Sequence, residues 1–327
     1  MRRRELILTS VGAIGAWPAT LWAQQPAALP LVAAMFINPN KAEAATSLLL
    51  RERLQALGHT DGTTIRYLLK ISLDTDDLAK AATDLVAQTP RVIFANGDQV
   101  ARAAAAATTK IPIVAQTDDH IAAGLSDSLA HPTRNVTGVS RMEAELDVKR
   151  LELLHRLSPT ARRILVLRDP ETGDAPRLKM LEQGAAQLGL QLDIRDIAKI
   201  ADLAGAIAMA SADGAEAVLV SGSPLLSTLS AISQIKVAAV MYRVPFMVQN
   251  YRAVRAGTAL IAYGLDESLA VTRMAHMISR ILHGANPADL PIERATTFVL
   301  AINLNTAREL GIQIPPSFLS LVNEVIE

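Results

Sequence analysis

Hydrophobic and polar positions alternate along this chain in two rhythms that follow one another repeatedly. The apolar run Leu31–Phe36 closes at Asn38-Pro39-Asn40, as a buried parallel strand feeding a loop does. A helical period follows over residues 43–57 and stops at Gly58. The pattern predicts a strand over 64–71, a helix over 76–88 capped by Thr75, and a strand over 91–95 broken at Asn96-Gly97-Asp98. A helix over 99–108 and a strand over 111–115, running into Thr117-Asp118-Asp119, complete the series. Strands alternating with helices of this length define βαβ units and a parallel sheet.

The programme then restarts. Strands are predicted over 164–167, 190–194, 217–220 and 244–248, with helices over 175–188 and 201–212 and another before Val244. Landmarks recur at offsets of 125–133 residues: Pro39 with Pro170, Gly97 with Gly222, Pro112 with Pro245. Element order and loop chemistry repeat with them, which predicts two similar α/β lobes. Beyond both lobes come a strand over 259–263, a helix over 266–283, a strand over 298–303, a helix over 306–310 and a short helix after Pro315-Pro316. This tail must add to lobes already formed. Several crossings between lobes follow, at Val136–Ser140, Ala259–Gly264 and Leu290–Arg294, and so a hinge. The expected division is 30–138 plus 262–290 for the first lobe and 139–261 plus 291–327 for the second.

Before the first strand, residues 1–23 read as an export signal. Arg2, Arg3 and Arg4 precede an apolar stretch with small residues, and Leu21-Trp22-Ala23 offers a cleavage point. Arg3-Arg4-Glu5-Leu6-Ile7 is also compatible with twin-arginine export, so the route is Sec or twin-arginine and the destination the periplasm. Removing this segment takes away three arginines, one glutamate and both tryptophans. The remainder carries two more acidic than basic residues, where the whole chain balances 32 against 32. No basic excess points to nucleic acid. The absence of cysteine excludes disulfides, thiolate metal sites, thiol nucleophiles and a lipoprotein anchor.

Catalytic patterns are missing. No phosphate-cradling loop, dinucleotide fingerprint or His-Glu-x-x-His motif occurs, and Ser221 and Pro224 spoil a nucleophile elbow at Ser223. No enzyme activity, cofactor or metal is expected. His276 and His283 share a helix face that reads as solvated, His59 reads as a surface residue, and the charged stretch Lys149–Arg156 around His155 reads as a solvated face. Asn135-Val136-Thr137 reads as a polar turn. One set of positions points to a ligand, because parallel α/β sheets bind beyond the carboxyl ends of their strands. Those ends carry Asn38, Asn96-Gly97-Asp98, Thr117-Asp118-Asp119, Asp169, Ser221-Gly222-Ser223 and Tyr263-Gly264, mostly just before helices whose N-termini offer unpaired N–H groups.

At several points the chain resembles bacterial ABC-transporter substrate-binding proteins of the tryptophan/tyrosine type. These are the Arg-Arg-Glu-Leu-Ile start, Leu54–Gly58, Thr109–Val114, Ala123–Leu125, Arg134–Ser140, Lys149–Leu154, Ile281–Pro291, Ala301–Ala307 and Leu310–Pro316, in that order. The resemblance implies two Rossmann-like lobes in a type I periplasmic binding protein fold, a monomer that captures a small-molecule ligand between them, and delivery to an ABC permease in the inner membrane. A rival reading is a sensor that presents its ligand to a membrane receptor. Carried over by position, the ligand loops are Phe36–Asn38, Asn96–Gln99, Thr117–Asp119, Ser221–Ser223 and Tyr263–Asp266. Where the family offers Gly-Thr-Pro to a carboxylate, this chain has Asn96-Gly97-Asp98. Asp98 is placed to cap its own helix and to repel an anion. Asp119 stands where the family has proline. Two added acids favour an amino acid or other amine-bearing ligand. Aromatic lining is limited to Phe36, Tyr242, Tyr251 and Tyr263.

Overall fold

The computed structural model describes residues 28–37, 41–72, 76–172 and 175–327. The export-signal segment, Asn38 and Thr75 lie outside the described residues.

The chain begins with β1 (Leu31–Ile37), α1 (Lys41–Ala56), β2 (Arg66–Ser72), α2 (Leu78–Val86), β3 (Val92–Asn96), α3 (Asp98–Ala107), β4 (Ile113–Thr117) and β5 (Val136–Ser140). It continues through α4 (Glu143–Leu157), β6 (Arg163–Arg168), α5 (Ala175–Gln187), β7 (Gln191–Asp196), α6 (Leu203–Ala212), β8 (Ala217–Val220), α7 (Leu229–Tyr242), β9 (Phe246–Val248), α8 (Tyr251–Arg255) and β10 (Ile261–Leu265). The last part comprises α9 (Glu267–Leu282), β11 (Glu293–Arg294), β12 (Phe298–Asn303), α10 (Leu304–Leu310), α11 (Pro316–Leu319) and β13 (Glu324–Ile326).

These strands form two sheets. The first is parallel throughout, in the order β11-β5-β4-β3-β1-β2. The second runs β13-β12-β10-β9-β8-β6-β7 and is parallel except where β12 lies antiparallel to β10. Strand β1 shows why the run at its position is apolar without alternation. Val32, Ala34 and Phe36 enter a core with α1 and α9, while Ala33, Met35 and Ile37 enter a second core with α2 and α3. Both faces of the strand are covered, so both phases must be apolar.

The chain passes between the sheets three times: after β5, after β10 and after β11. Each passage directly follows one of the segments expected to cross. The strands themselves sort differently from the expected lobe division. Residues 262–265 belong to the second sheet as part of β10, and Glu293–Arg294 joins the first by pairing with β5. The expected polar turn at Asn135-Val136-Thr137 is also corrected. Val136–Ser140 is fully buried as β5, with Thr137 Oγ1 donating to the Leu290 carbonyl at 2.7 Å and Asn135 Nδ2 donating to the Thr108 and Ile111 carbonyls.

Gly138 explains the composition of that strand. Its φ is +145°, and a Cβ there would collide with the Ala115 backbone of the neighbouring strand. Only glycine lets β4 and β5 approach this closely.

Candidate ligand-binding cleft

A cleft of about 550 Å³ opens at the carboxyl ends of the strands, with walls contributed by both sheets. From the first sheet come Asn96–Val100 at the start of α3, Asp118 and Asp119 beyond β4, and Glu267 at the start of α9. From the second come Gly222–Pro224 beyond β8 and Gln249–Arg252 between β9 and α8.

The turn after β3 is made by Gly97, whose φ of 100° a side chain would resist. Its N–H is bonded to the Gln116 carbonyl at 2.8 Å. Asp98 does not cap α3, contrary to expectation. It is the first helical residue, and its Oδ1 accepts the backbone N–H of Asp118 at 2.7 Å. Asp119 turns the chain beyond β4 by accepting from the Ile121 and Ala122 amides at 2.7 and 3.1 Å. Beneath it, His120 is fully buried, with Nδ1 2.7 Å from Thr117 Oγ1 and 2.8 Å from Ser140 Oγ. Burial drives its pKa down to about 4, so the imidazole is neutral at physiological pH.

The first passage between sheets is stitched to this turn, since the Arg141 and Met142 amides donate to the Thr117 and Asp118 carbonyls at 2.8 and 3.0 Å. Helix α4 then delivers Glu143, Asp147 and Arg150 to one buried face. Arg150 Nη1 donates to Glu143 Oε2 at 2.8 Å and Asp147 Oδ1 at 2.7 Å, and Nε donates to the Tyr263 carbonyl at 2.7 Å. From α5, Arg177 Nε reaches Asp147 Oδ2 at 2.7 Å, and Nη1 reaches the Gly222 carbonyl at 3.3 Å. Nη1 also lies 3.6 Å from Asp118 Oδ2, an ion pair that spans the two sheets. Burial works to raise the Asp147 carboxyl, but Arg177 and Arg150 outweigh it and hold Asp147 below its ordinary value. Asp118 behaves oppositely. Burial, then the Glu143 and Asp98 carboxylates, push it up to about 7 against the pull of Arg141 and Arg177. Its side chain is nevertheless 36 % exposed, open to the cleft.

Of the residues expected at a ligand site, Asn96, Gly97, Asp98, Gln99, Asp118, Asp119, Gly222 and Ser223 line the cleft. Five others are placed elsewhere. Phe36 is in phase with Val32 and Ala34, so it is 1 % exposed and packs on Phe94. Thr117 is fully buried against His120, and Ser221 points below the floor to Asp147 at 3.2 Å. The Tyr263 ring packs on Phe298, with centroids 5.7 Å apart. Asp266 caps α9, accepting from the Ser268 and Leu269 amides. Tyr242 lies on α7, away from the cleft, which leaves Tyr251 as the aromatic ring among its described lining residues.

Sequence reasoning missed Glu143, Arg150, Arg177, Gln249 and Glu267. One signal was present. Arg150 occupies the same helical phase as Leu146 and Leu154, so the charged stretch read as solvated carries an arginine on its apolar face. His276 and His283 are exposed as expected, whereas His59 is partly buried and its Nε2 meets Ser279 Oγ at 2.8 Å.

Two α/β lobes with a cleft at their strand ends and three chain passages between them define the type I periplasmic binding protein architecture. The family model described as ABC transporter substrate binding protein matches residues 34–326. The chain belongs to that family, which is a family of solute-binding proteins. Among solved structures, a conserved domain protein from Vibrio cholerae O1 biovar eltor is 26% identical with a TM-score of 0.82, over 90% of this chain and 99% of that one. An ABC domain from Streptococcus pneumoniae in complex with L-Trp is 22% identical with a TM-score of 0.81, over 91% and 100%. An ABC transporter periplasmic solute binding protein from Actinobacillus succinogenes with bound D-allose is 11% identical with a TM-score of 0.60, over 83% and 96%. No curated protein matches the chain in sequence.

Proposed function

We propose that this protein is the exported solute-binding component of an ABC importer, and that it captures an amine-bearing small molecule, an amino acid among the candidates, between its two lobes. The observation that carries the reading is the cleft itself. It lies between the two sheets, and carboxylates from both sides line it, Asp98, Asp118, Asp119 and Glu267 from the first and Glu143 and Glu171 from the second, outnumbering the lining arginines Arg102, Arg141, Arg150 and Arg252. An ammonium group is the small-molecule chemistry such walls attract. The family's transport role and the L-Trp held by the Streptococcus relative support the choice.

Ligand enters with the lobes apart, and closure brings Arg177 of one lobe to Asp118 of the other. Contacts made only in the closed state supply the driving force, and a permease in the inner membrane receives that state. The signal pattern at residues 1–23 supports periplasmic delivery. No helix among the described residues is long and apolar enough to cross a membrane.

The test is a thermal-shift screen of the refolded protein against amino acids, amines, carboxylates and sugars. Ligand bound only to the native state raises the midpoint by mass action. A rise with amines or amino acids supports the reading. A rise confined to sugars or carboxylates refutes the amine assignment, and small-angle scattering that is unchanged by a bound ligand refutes closure.

A further inference from the structure

The cleft already contains what an anionic ligand would need to displace. The N-terminus of α3 faces it, the place where a parallel α/β protein offers N–H groups to a carboxylate. Here the carboxylate of Asp98 belongs to the chain and sits at that terminus, accepting the Asp118 amide. The deep arginines also hold partners, although Arg141 Nε and Arg150 Nη2 donate to none among the described residues. Arg150 is held by Glu143, Asp147 and the Tyr263 carbonyl, Arg177 by Asp147 and Gly222, and Arg141 Nη2 donates to Asn96 Oδ1 at 3.0 Å.

The charges in this connected group do not cancel. Asp98, Asp118, Glu143 and Asp147 stand against Arg141, Arg150 and Arg177, which leaves one negative charge in excess. Among the other lining residues, Asp119, Glu171 and Glu267 outnumber Arg102 and Arg252, and Glu267 also acts on Arg141. Deep inside a low-dielectric site, an unbalanced carboxylate is stable only when a cation or a proton accompanies it.

Resting on the amine reading above, we propose that the cleft selects ligands of net positive charge, amines or guanidines, and that Asp118 is the residue that reads this charge. Asp118 is the member of the group best placed to do so. Its side chain is partly open to the cleft. The charged groups acting on it are Asp98 from α3, Arg141 from the passage after β5, Glu143 from the start of α4, and Arg177 from α5. The surrounding acids and burial bring its pKa to about 7, so in the empty cleft a proton supplies the missing positive charge over half the molecules at neutral pH. An arriving cation takes over that role, and the proton leaves Asp118 for solvent. Affinity for a cation then falls about tenfold per unit as pH drops below 7 and levels off above it.

The experiment is titration calorimetry on the intact protein with putrescine, agmatine and L-arginine as cationic probes and L-leucine, L-tryptophan and L-glutamate as comparisons. It is run near pH 6 and near pH 8, in buffers of different ionisation heat. The expected result is binding of cationic probes about tenfold or more weaker at the lower pH, with close to one proton released per ligand there. Asp118→Asn is expected to lose both the pH dependence and at least tenfold in affinity. Equal or tighter binding of the uncharged amino acids overturns this proposal while leaving the amine reading intact. Binding of cations without proton release or pH dependence overturns the role of Asp118, and wild-type protein alone decides that point if the variant does not fold. Binding of none of the amines or amino acids overturns the amine reading and this proposal together.

Discussion

Replacing Arg150 with methionine isolates the buried charge network beneath the cleft. Arg150 is fully buried, and its Nη1 binds Glu143 and Asp147 at 2.8 and 2.7 Å. Methionine keeps most of the apolar stem and removes the charge. Two carboxylates are then left sharing Arg177, and the Tyr263 carbonyl loses its donor. Taking one partner from a buried pair costs about 3–5 kcal/mol. At about 2 °C per kcal/mol for a chain of this size, the expected loss in midpoint is about 8 °C. The loss carries a signature that simple packing damage lacks. Arg150 is one of the two arginines that hold the Asp147 carboxyl below its ordinary value, a stabilisation present at neutral pH and lost as pH falls through the carboxylate range, so the deficit narrows toward acid. Adding Glu143→Gln to the variant removes the stranded charge, and the second substitution is expected to cost much less there than in the wild type. Thermal and urea unfolding of the four proteins at two pH values measures all of this. A loss below about 1 kcal/mol, or strict additivity of the two substitutions, refutes the account of the network as coupled charges.

Other consequences can be checked one by one. His120 is buried neutral with its pKa lowered to about 4, so the unfolded state binds the extra proton between that value and 6.5. Stability is therefore expected to rise by about 3 kcal/mol across that window and stay level above it, and His120→Asn should flatten the rise in unfolding followed against pH. Phe36→Ala is expected to cost about 3–5 kcal/mol in urea unfolding, as a core residue does. Gly222→Ala places a Cβ against the side-chain amide of Gln249 and 3.3 Å from Arg177 Nη2. Because that amide is the end of a flexible side chain, the fold should survive with a loss below about 1 kcal/mol while the displaced amide narrows the cleft. Calorimetry should show weaker binding of whichever probe the wild type takes.

Most of the architecture was legible because buried parallel strands announce themselves. Ala217–Val220 and Phe298–Asn303 are apolar runs bounded by breakers, and both form strands over the predicted residues. The strand Val136–Ser140 escaped because Thr137, Gly138 and Ser140 have turn chemistry. Its place between β4 and β11 depends on partners that no local pattern names. At the cleft, loops after strands were found because fold geometry dictates where they must lie. The residues of α4 were not, since a salt-linked interior looks in sequence like a wet surface. Phe36 was misplaced for a simpler reason: strand phase decides the direction of a side chain, and carrying a loop over by position ignores phase.

The late arrival of α9 bears on the order in which the chain can fold. Val32, Ala34 and Phe36 are sealed by Val271, Met274 and Ile278, which follow about 240 residues later. The first sheet therefore cannot be fully covered on this face until more than four fifths of the chain has been made. Closing a loop of that span is slow, so the beginning of the polypeptide waits on a late segment to seal it.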